Sequence, residues 1–238
     1  MKQYAYCRDP AGDRLIHVWE AERLRTEMPE RYRSLRFFST EADPAKRHEM
    51  VLVHREETMF FRYKEMPAKG TASEAESLTH ILAKQTLCSR ELLKLALPEG
   101  ELLLWVKDWQ TEVRLLPDGK NTVVADLMAS LYAARPKKRV ARWDPEVLVE
   151  ITVTHDTTPQ KIALLRAAGK TVLEVVIDDG LRVPESLSST EEEVMRAEAR
   201  LKEALCGSVP ARILTEPETP AQKLARRMKR AWNQLIEV

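Results

Sequence analysis

Residues 147–153, Val-Leu-Val-Glu-Ile-Thr-Val, are apolar or β-branched at almost every position, the pattern of a strand buried on both faces. Residues 171–177 repeat that pattern. Between the two runs, Thr158-Pro159 supplies an N-cap and a proline for the first helical position, and Gly169 supplies a stop, so the spacing predicts a helix. A strand, a crossover helix and a strand form a βαβ unit, which makes part of the sheet parallel. Glu150 interrupts the first strand at its middle. An ionised carboxylate left alone there is costly, so a cation, a donor cluster or a metal ion has to sit opposite it. Alternation puts Leu148, Glu150, Thr152 and Thr154 on one face, and that face is the candidate site.

Upstream, short runs at 4–7, 14–18, 33–38, 50–54 and 58–63, separated by Asp, Gly and Pro, predict a β-rich part that ends in a hairpin through Glu56-Glu57. A short helix is expected over 21–25, and Met66-Pro67-Ala68-Lys69-Gly70 reads as a linker. A long helix is expected over 71–97, entered through Ser73 with Glu76 at the capping-box position. Glu76, His80 and Lys84 recur every four residues and share a helical face, while Leu78, Ile81 and Leu82 face the core. Taken alone, that polar stripe reads as a solvated face. Strands are expected at 101–106, 111–115 and 122–128, with a turn at Pro117-Asp118-Gly119, and the third strand embeds Asp126 in an apolar run.

Beyond the βαβ unit the pattern gives a turn at Asp178-Asp179-Gly180, a linker over 184–189 and an acidic-first amphipathic helix over 191–205 capped by Thr190. A second linker over 210–220 leads to a final helix over 220–236, with Lys223, Arg226, Arg227 and Arg230 on one face and Leu224, Met228 and Leu235 on another. The expected organisation is a β-rich accessory domain at 1–70, an α/β domain at 71–183 and a helical extension at 184–238.

The chain has 238 residues, enough for a sizeable core, and its formal charge of +1 excludes a uniformly basic, histone-like protein without excluding local basic patches. Cys7, Cys88 and Cys206 are widely spaced with no CxxC, which argues against a disulfide framework or a structural zinc site and suits a reducing cytoplasm. Met1-Lys2-Gln3-Tyr4 leads straight into charged residues, so no secretory leader is expected. No apolar run approaches a membrane span, and the expectation is a soluble, cytoplasmic protein without membrane contact.

A helix glutamate, a strand with Asp, a hairpin return, a strand with Glu and a helix on the far side together resemble the core of the PD-(D/E)XK nuclease superfamily, a restriction-endonuclease-like mixed β-sheet flanked by helices. More narrowly, Glu76-Ser77-Leu78-Thr79-His80-Ile81-Leu82-Ala83-Lys84, Asp126, Val149-Glu150-Ile151-Thr152-Val153-Thr154-His155 and Lys161 resemble the competence protein CoiA-like family over about residues 71–178. The resemblance implies a magnesium- or manganese-dependent DNA endonuclease, a hydrolase of DNA uptake, recombination or defence. The alternative is an inactive nuclease fold that binds DNA or a protein partner, in either case with a homodimer possible.

Under that resemblance Asp126, Glu150 and the Ile151 carbonyl hold the metal, and Glu76 contacts it directly or through water. The superfamily's usual lysine falls two residues after the strand acid, where this chain has Thr152, so Lys161 or Lys84 takes over the charge. His80 and His155 either orient water or phosphate or serve as structural hydrogen-bonding residues. Asp144 rivals Asp126, but Pro145 beside it suggests a turn. Glu174 either approaches the site or pairs with Lys170 or Arg166. The N-terminal zinc-binding cysteines of some family members have no counterpart here. Given such a site, Lys137, Lys138, Arg139 and Arg142, together with the Lys223, Arg226, Arg227 and Arg230 face, become candidate DNA-phosphate contacts; otherwise they are solubilising surface. Trp143 and Trp232 either stack on bases or pack in the core.

Overall fold

The computed structural model describes residues 2–9, 12–55, 58–66, 76–117, 119, 121–153, 156–217 and 228. The chain divides into two compact units, one of Met1–Thr86 with Asp178–Leu205 and the other of Leu87–Ile177 with Cys206–Val238. The class is mixed α/β: one five-stranded sheet, one closed six-stranded barrel and, among the described residues, six α-helices.

The first unit opens with β1 (Tyr4–Asp9) and β2 (Gly12–His17), then α1 (Val18–Glu27), α2 (Pro29–Ser34), β3 (Arg36–Phe38), β4 (Glu49–Arg55) and β5 (Thr58–Tyr63). The strands form an antiparallel sheet in the order β2-β1-β3-β4-β5. Its core joins Ala5, Cys7, Ile16, Phe37, Met50 and Phe61 to Val18 and Ala21 of α1. Two expectations change. The short helix at 21–25 grows to all of α1, and residues 33–34, expected in a strand, end α2, whose first position is held by Pro29 with its preset φ.

The helix expected over 71–97 is α3 (Leu78–Cys88) followed by a strand, β6 (Leu92–Leu97). Leu93, Leu95 and Leu97 are buried while Lys94 and Ala96 are exposed, so the leucine-rich run has the two-residue period of a strand. The rest of the second unit is β7 (Gly100–Leu115), β8 (Val123–Arg135), α4 (Lys137–Val140), β9 (Glu146–Thr152), α5 (Pro159–Ala167), β10 (Thr171–Val176) and β11 (Ser208–Thr215). The strands expected at 101–106 and 111–115 are one strand, β7, which carries register shifts between Trp105 and Asp108 and stays paired with β8 from Leu103 to Leu115. The linker expected from 210 contains most of β11. Val209 and Ala211 are buried between exposed Ser208, Pro210 and Arg212, an alternation that outweighs the turn signal of Pro210.

The barrel closes in the order β10-β11-β6-β7-β8-β9, with β9–β10 and β11–β6 parallel and the other pairs antiparallel. Residues opposite each other in register share a face. Leu95 and Leu102 are partners, as are Leu127 and Val149, Val149 and Leu173, and Val175 and Ala211. These buried residues form the barrel interior. Leu148 and Val172, on the opposite face, cluster with Met128 and with Leu165 of α5, so the helix covers the outside.

The acidic-first helix is α6 (Glu191–Cys206), which begins with a reciprocal capping box: Glu193 N donates to Thr190 Oγ1 at 3.2 Å and Thr190 N donates to Glu193 Oε2 at 2.9 Å. It buries Val194, Ala197, Leu201 and Leu205, and within the first unit Glu198 pairs with His17 at 2.7 Å. Ser73, Glu56-Glu57, Asp118, Thr154, His155, Trp232 and the terminal residues Lys223, Arg226, Arg227 and Arg230 lie outside the described residues. Among the described residues no helix is long and apolar enough to cross a membrane.

Candidate functional site

Glu150 lies in β9, 2% exposed, on the α5 side of the barrel wall. In the parallel register its partner on β10 is Glu174, which is fully buried. Two neighbouring carboxylates on one face repel unless each is compensated. Lys161, from the first turn of α5, brings its Nζ to 2.6 Å from Glu150 Oε2. That reach depends on how the helix starts: the Thr158 hydroxyl accepts from Lys161 N at 3.3 Å, and Pro159 occupies the first helical position.

Glu174 is compensated from three directions. Thr152 Oγ1 donates to Glu174 Oε1 at 2.8 Å, and Thr157 donates to the same oxygen through its hydroxyl at 2.6 Å and its amide at 3.1 Å. Arg212, its register partner on β11, pairs with the other oxygen and also reaches Asp156 at 2.8 Å. Burial alone would raise the Glu174 pKa, but Thr157, Arg212 and Thr152 outweigh it and hold the carboxyl below its ordinary value. The partners considered for Glu174 in the sequence, Lys170 and Arg166, are not those it has; Lys170 pairs with Glu146 at 2.7 Å and Asp144 at 3.7 Å.

Asp126, half-buried in β8, accepts the Ile151 amide through Oδ2 at 2.8 Å. The β8–β9 register runs from Ser130↔Glu146 to Leu127↔Val149, and the next step along it would set Asp126 opposite Glu150. The carboxylate of one strand thus reaches the backbone that carries the other. Asp144 lies outside β9 in the turn before it, exposed and beside Lys170.

In the first unit, Glu76 precedes α3 and receives His80 Nδ1 at 2.7 Å and the Lys84 ammonium, so the four-residue spacing forms a connected stripe. Its residues are half-buried or buried rather than solvated. Burial pushes the Glu76 pKa up, while the His80 hydrogen bond and the Lys84 charge more than reverse this and leave it lowered.

Of the basic connection, Lys137, Lys138 and Arg139 form α4, and Arg142 follows in the turn. Trp143 is half-buried and its Nε1 donates to Glu216 at 2.9 Å. Arg212, Thr157 and Asp156 have no place in the sequence reading; for Arg212 a signal lies in the alternation from Ser208 to Arg212.

Among the described residues no three His, Cys, Asp or Glu side chains are grouped as a metal-binding cluster. The fold and site define a mixed α/β protein with an outward-facing polar cluster, rich in carboxylates, set into a barrel wall. No family model, curated protein or solved structure matches the chain.

Proposed function

We propose that the barrel unit is nuclease-like and hydrolyses DNA phosphodiester bonds with a magnesium or manganese ion. The observation that carries this reading is Glu150, buried in mid-strand and met by Lys161 from the following helix at 2.6 Å. A carboxylate with an adjacent ammonium is the pair that phosphodiester chemistry needs, one to hold a hard cation and the other to offset charge around the phosphate. The order β7, β8, β9, α5, β10, antiparallel through β9 and then parallel, supports the restriction-endonuclease-like reading of this part of the barrel. The motifs around Asp126 and Glu150 support the CoiA-like resemblance.

Asp126, Glu150 and the Ile151 carbonyl fit a hard cation as oxygen donors from adjacent strands, with water or substrate completing the shell as magnesium requires. Such an ion, when bound, lowers the pKa of water and polarises the phosphoryl oxygen. Lys161 would balance negative charge at Glu150, and Asp126 would hold the β9 backbone through the Ile151 amide.

The test is cleavage of single- and double-stranded DNA with manganese or magnesium, with calorimetry of manganese binding alongside. Asp126→Asn and Glu150→Gln are each expected to abolish cleavage and weaken manganese binding. Cleavage that survives both substitutions ends the proposal.

A second reading, a DNA-binding protein without catalysis on the same fold, is favoured by Thr152. It stands where the superfamily has lysine, and its hydroxyl is engaged with Glu174. This reading expects salt-sensitive DNA binding with no metal-dependent cleavage.

A further inference from the structure

At one end of the barrel, a cavity of about 460 Å³ is lined by Glu99, Arg139, Arg142, Arg166, Thr215 and Glu216, among others. The arginines come from three places: the α4 helix, the turn after it and the last turn of α5. The two acids are already engaged. Glu99 accepts from Arg139 Nη2 at 3.0 Å, and Glu216 accepts from Trp143 Nε1 at 2.9 Å. Arg139 Nε is buried and has no hydrogen-bond partner among the described residues. Arg142 and Arg166 are exposed, and among the described residues neither side chain has an ion pair or hydrogen bond. The cavity therefore holds more guanidinium than carboxylate charge, with donors unspent.

We propose that this cavity binds the phosphate group of a nucleotide. Guanidinium groups present parallel N–H donors that match phosphate oxygens in pairs, and two arginines without partners suit a dianion better than a single carboxylate. The volume falls within the roughly 300–1,000 Å³ of small-ligand sites. Half-buried Trp143, which donates to Glu216 of the lining, is the nearest candidate in sequence to Arg142 for stacking on a base. The site stands on its own residues, so it survives if the carboxylate site proves non-catalytic. The phosphate can come from a free nucleotide or from the end of a strand.

Calorimetry at low salt would use inorganic phosphate, deoxyadenosine monophosphate, and a short oligodeoxynucleotide with and without a terminal phosphate. The proteins would be wild type, Arg142→Ala, Arg166→Ala, their double variant and Arg142→Lys. Wild type should bind the phosphate-bearing probes. Each alanine variant should bind them about tenfold more weakly or worse, the effect of losing one charge-assisted hydrogen bond. Arg142→Lys should also be weakened, because an ammonium cannot offer the paired donors. Tighter binding of the mononucleotide assigns the free ligand, and tighter binding of the phosphorylated oligonucleotide assigns a strand end. No binding of any phosphate-bearing probe, or equal affinity in the double variant and wild type, overturns the proposal. Both arginines are exposed, so their removal leaves the core intact.

Discussion

Glu76 and Glu174 are two solutions to one problem, a carboxylate taken out of water. In the first unit Glu76 is met by His80 and Lys84, both on the helix that starts just after it. In the barrel Glu174 is met by Thr152 on β9, Thr157 on the connection to α5 and Arg212 on β11. Burial raises both pKa values and the donors reverse it, so both end below the ordinary carboxylate range. The difference lies in when the partners arrive. The Glu76 cluster is complete once one helix forms, whereas Glu174 gains its cation, Arg212, only after β11 has docked beside β10, so its ion pairing is linked to closure of the barrel.

The strongest way to break this comparison is Arg212→Met. It leaves a fully buried carboxylate without its cation, and stability should fall by about 3 kcal/mol. That figure is the low end for a broken buried pair, because the Arg212 side chain is 44% exposed and partly screened. Adding Glu174→Gln to the same chain should restore most of the loss, since a neutral amide needs no cation. Urea unfolding of the single and double variants measures both, and an equal loss in the two would show that Arg212 acts by packing alone.

Acid titration sharpens the comparison with a smaller effect. For each carboxylate the folded pKa lies below the unfolded value, so the unfolded chain binds the extra proton and stability rises with pH through the window between them. The contribution is fully present above the unfolded value of about 4.3 and is lost as pH falls through the folded value beneath it. Urea midpoints measured from neutral pH downward should therefore drop in that window, with Glu76→Gln and Glu174→Gln each removing part of the slope. Unchanged acid limbs in both variants would contradict this origin.

The same contrast explains what the sequence discloses. The βαβ run is legible because its signals are local: two apolar strands, Thr158-Pro159 at one helix end and Gly169, with a φ of 71°, at the other. The α6 capping box is legible for the same reason. A cation opposite Glu150 can be inferred from a lone acid in an apolar strand, with Lys161 the preferred candidate and Lys84 the second, and docking of the crossover helix brings Lys161 to it. The strand β11 and its Arg212 are hidden, because Pro210 imitates a linker and the strand's partners β10 and β6 are distant in sequence. The end of α3 is misread because leucine suits a helix as well as it suits β6, and only pairing with β7 decides.

The smallest effect tests whether local and tertiary order meet at α5. Thr158→Ala removes the acceptor of the Lys161 amide and should cost about 1 kcal/mol, with Thr158→Ser close to wild type. Lys161 is also the residue whose ammonium reaches Glu150, so fraying of this turn should loosen that pair as well. Hydrogen exchange should speed up at the Lys161 amide in the alanine variant. Removing the pair by Lys161→Met together with Glu150→Gln should make the cost of Thr158→Ala smaller, because the cap then no longer holds a charge in place. An unchanged cost in that background would mean that the helix start and the buried carboxylate are independent, and that α5 is positioned by Leu165 and its apolar neighbours alone.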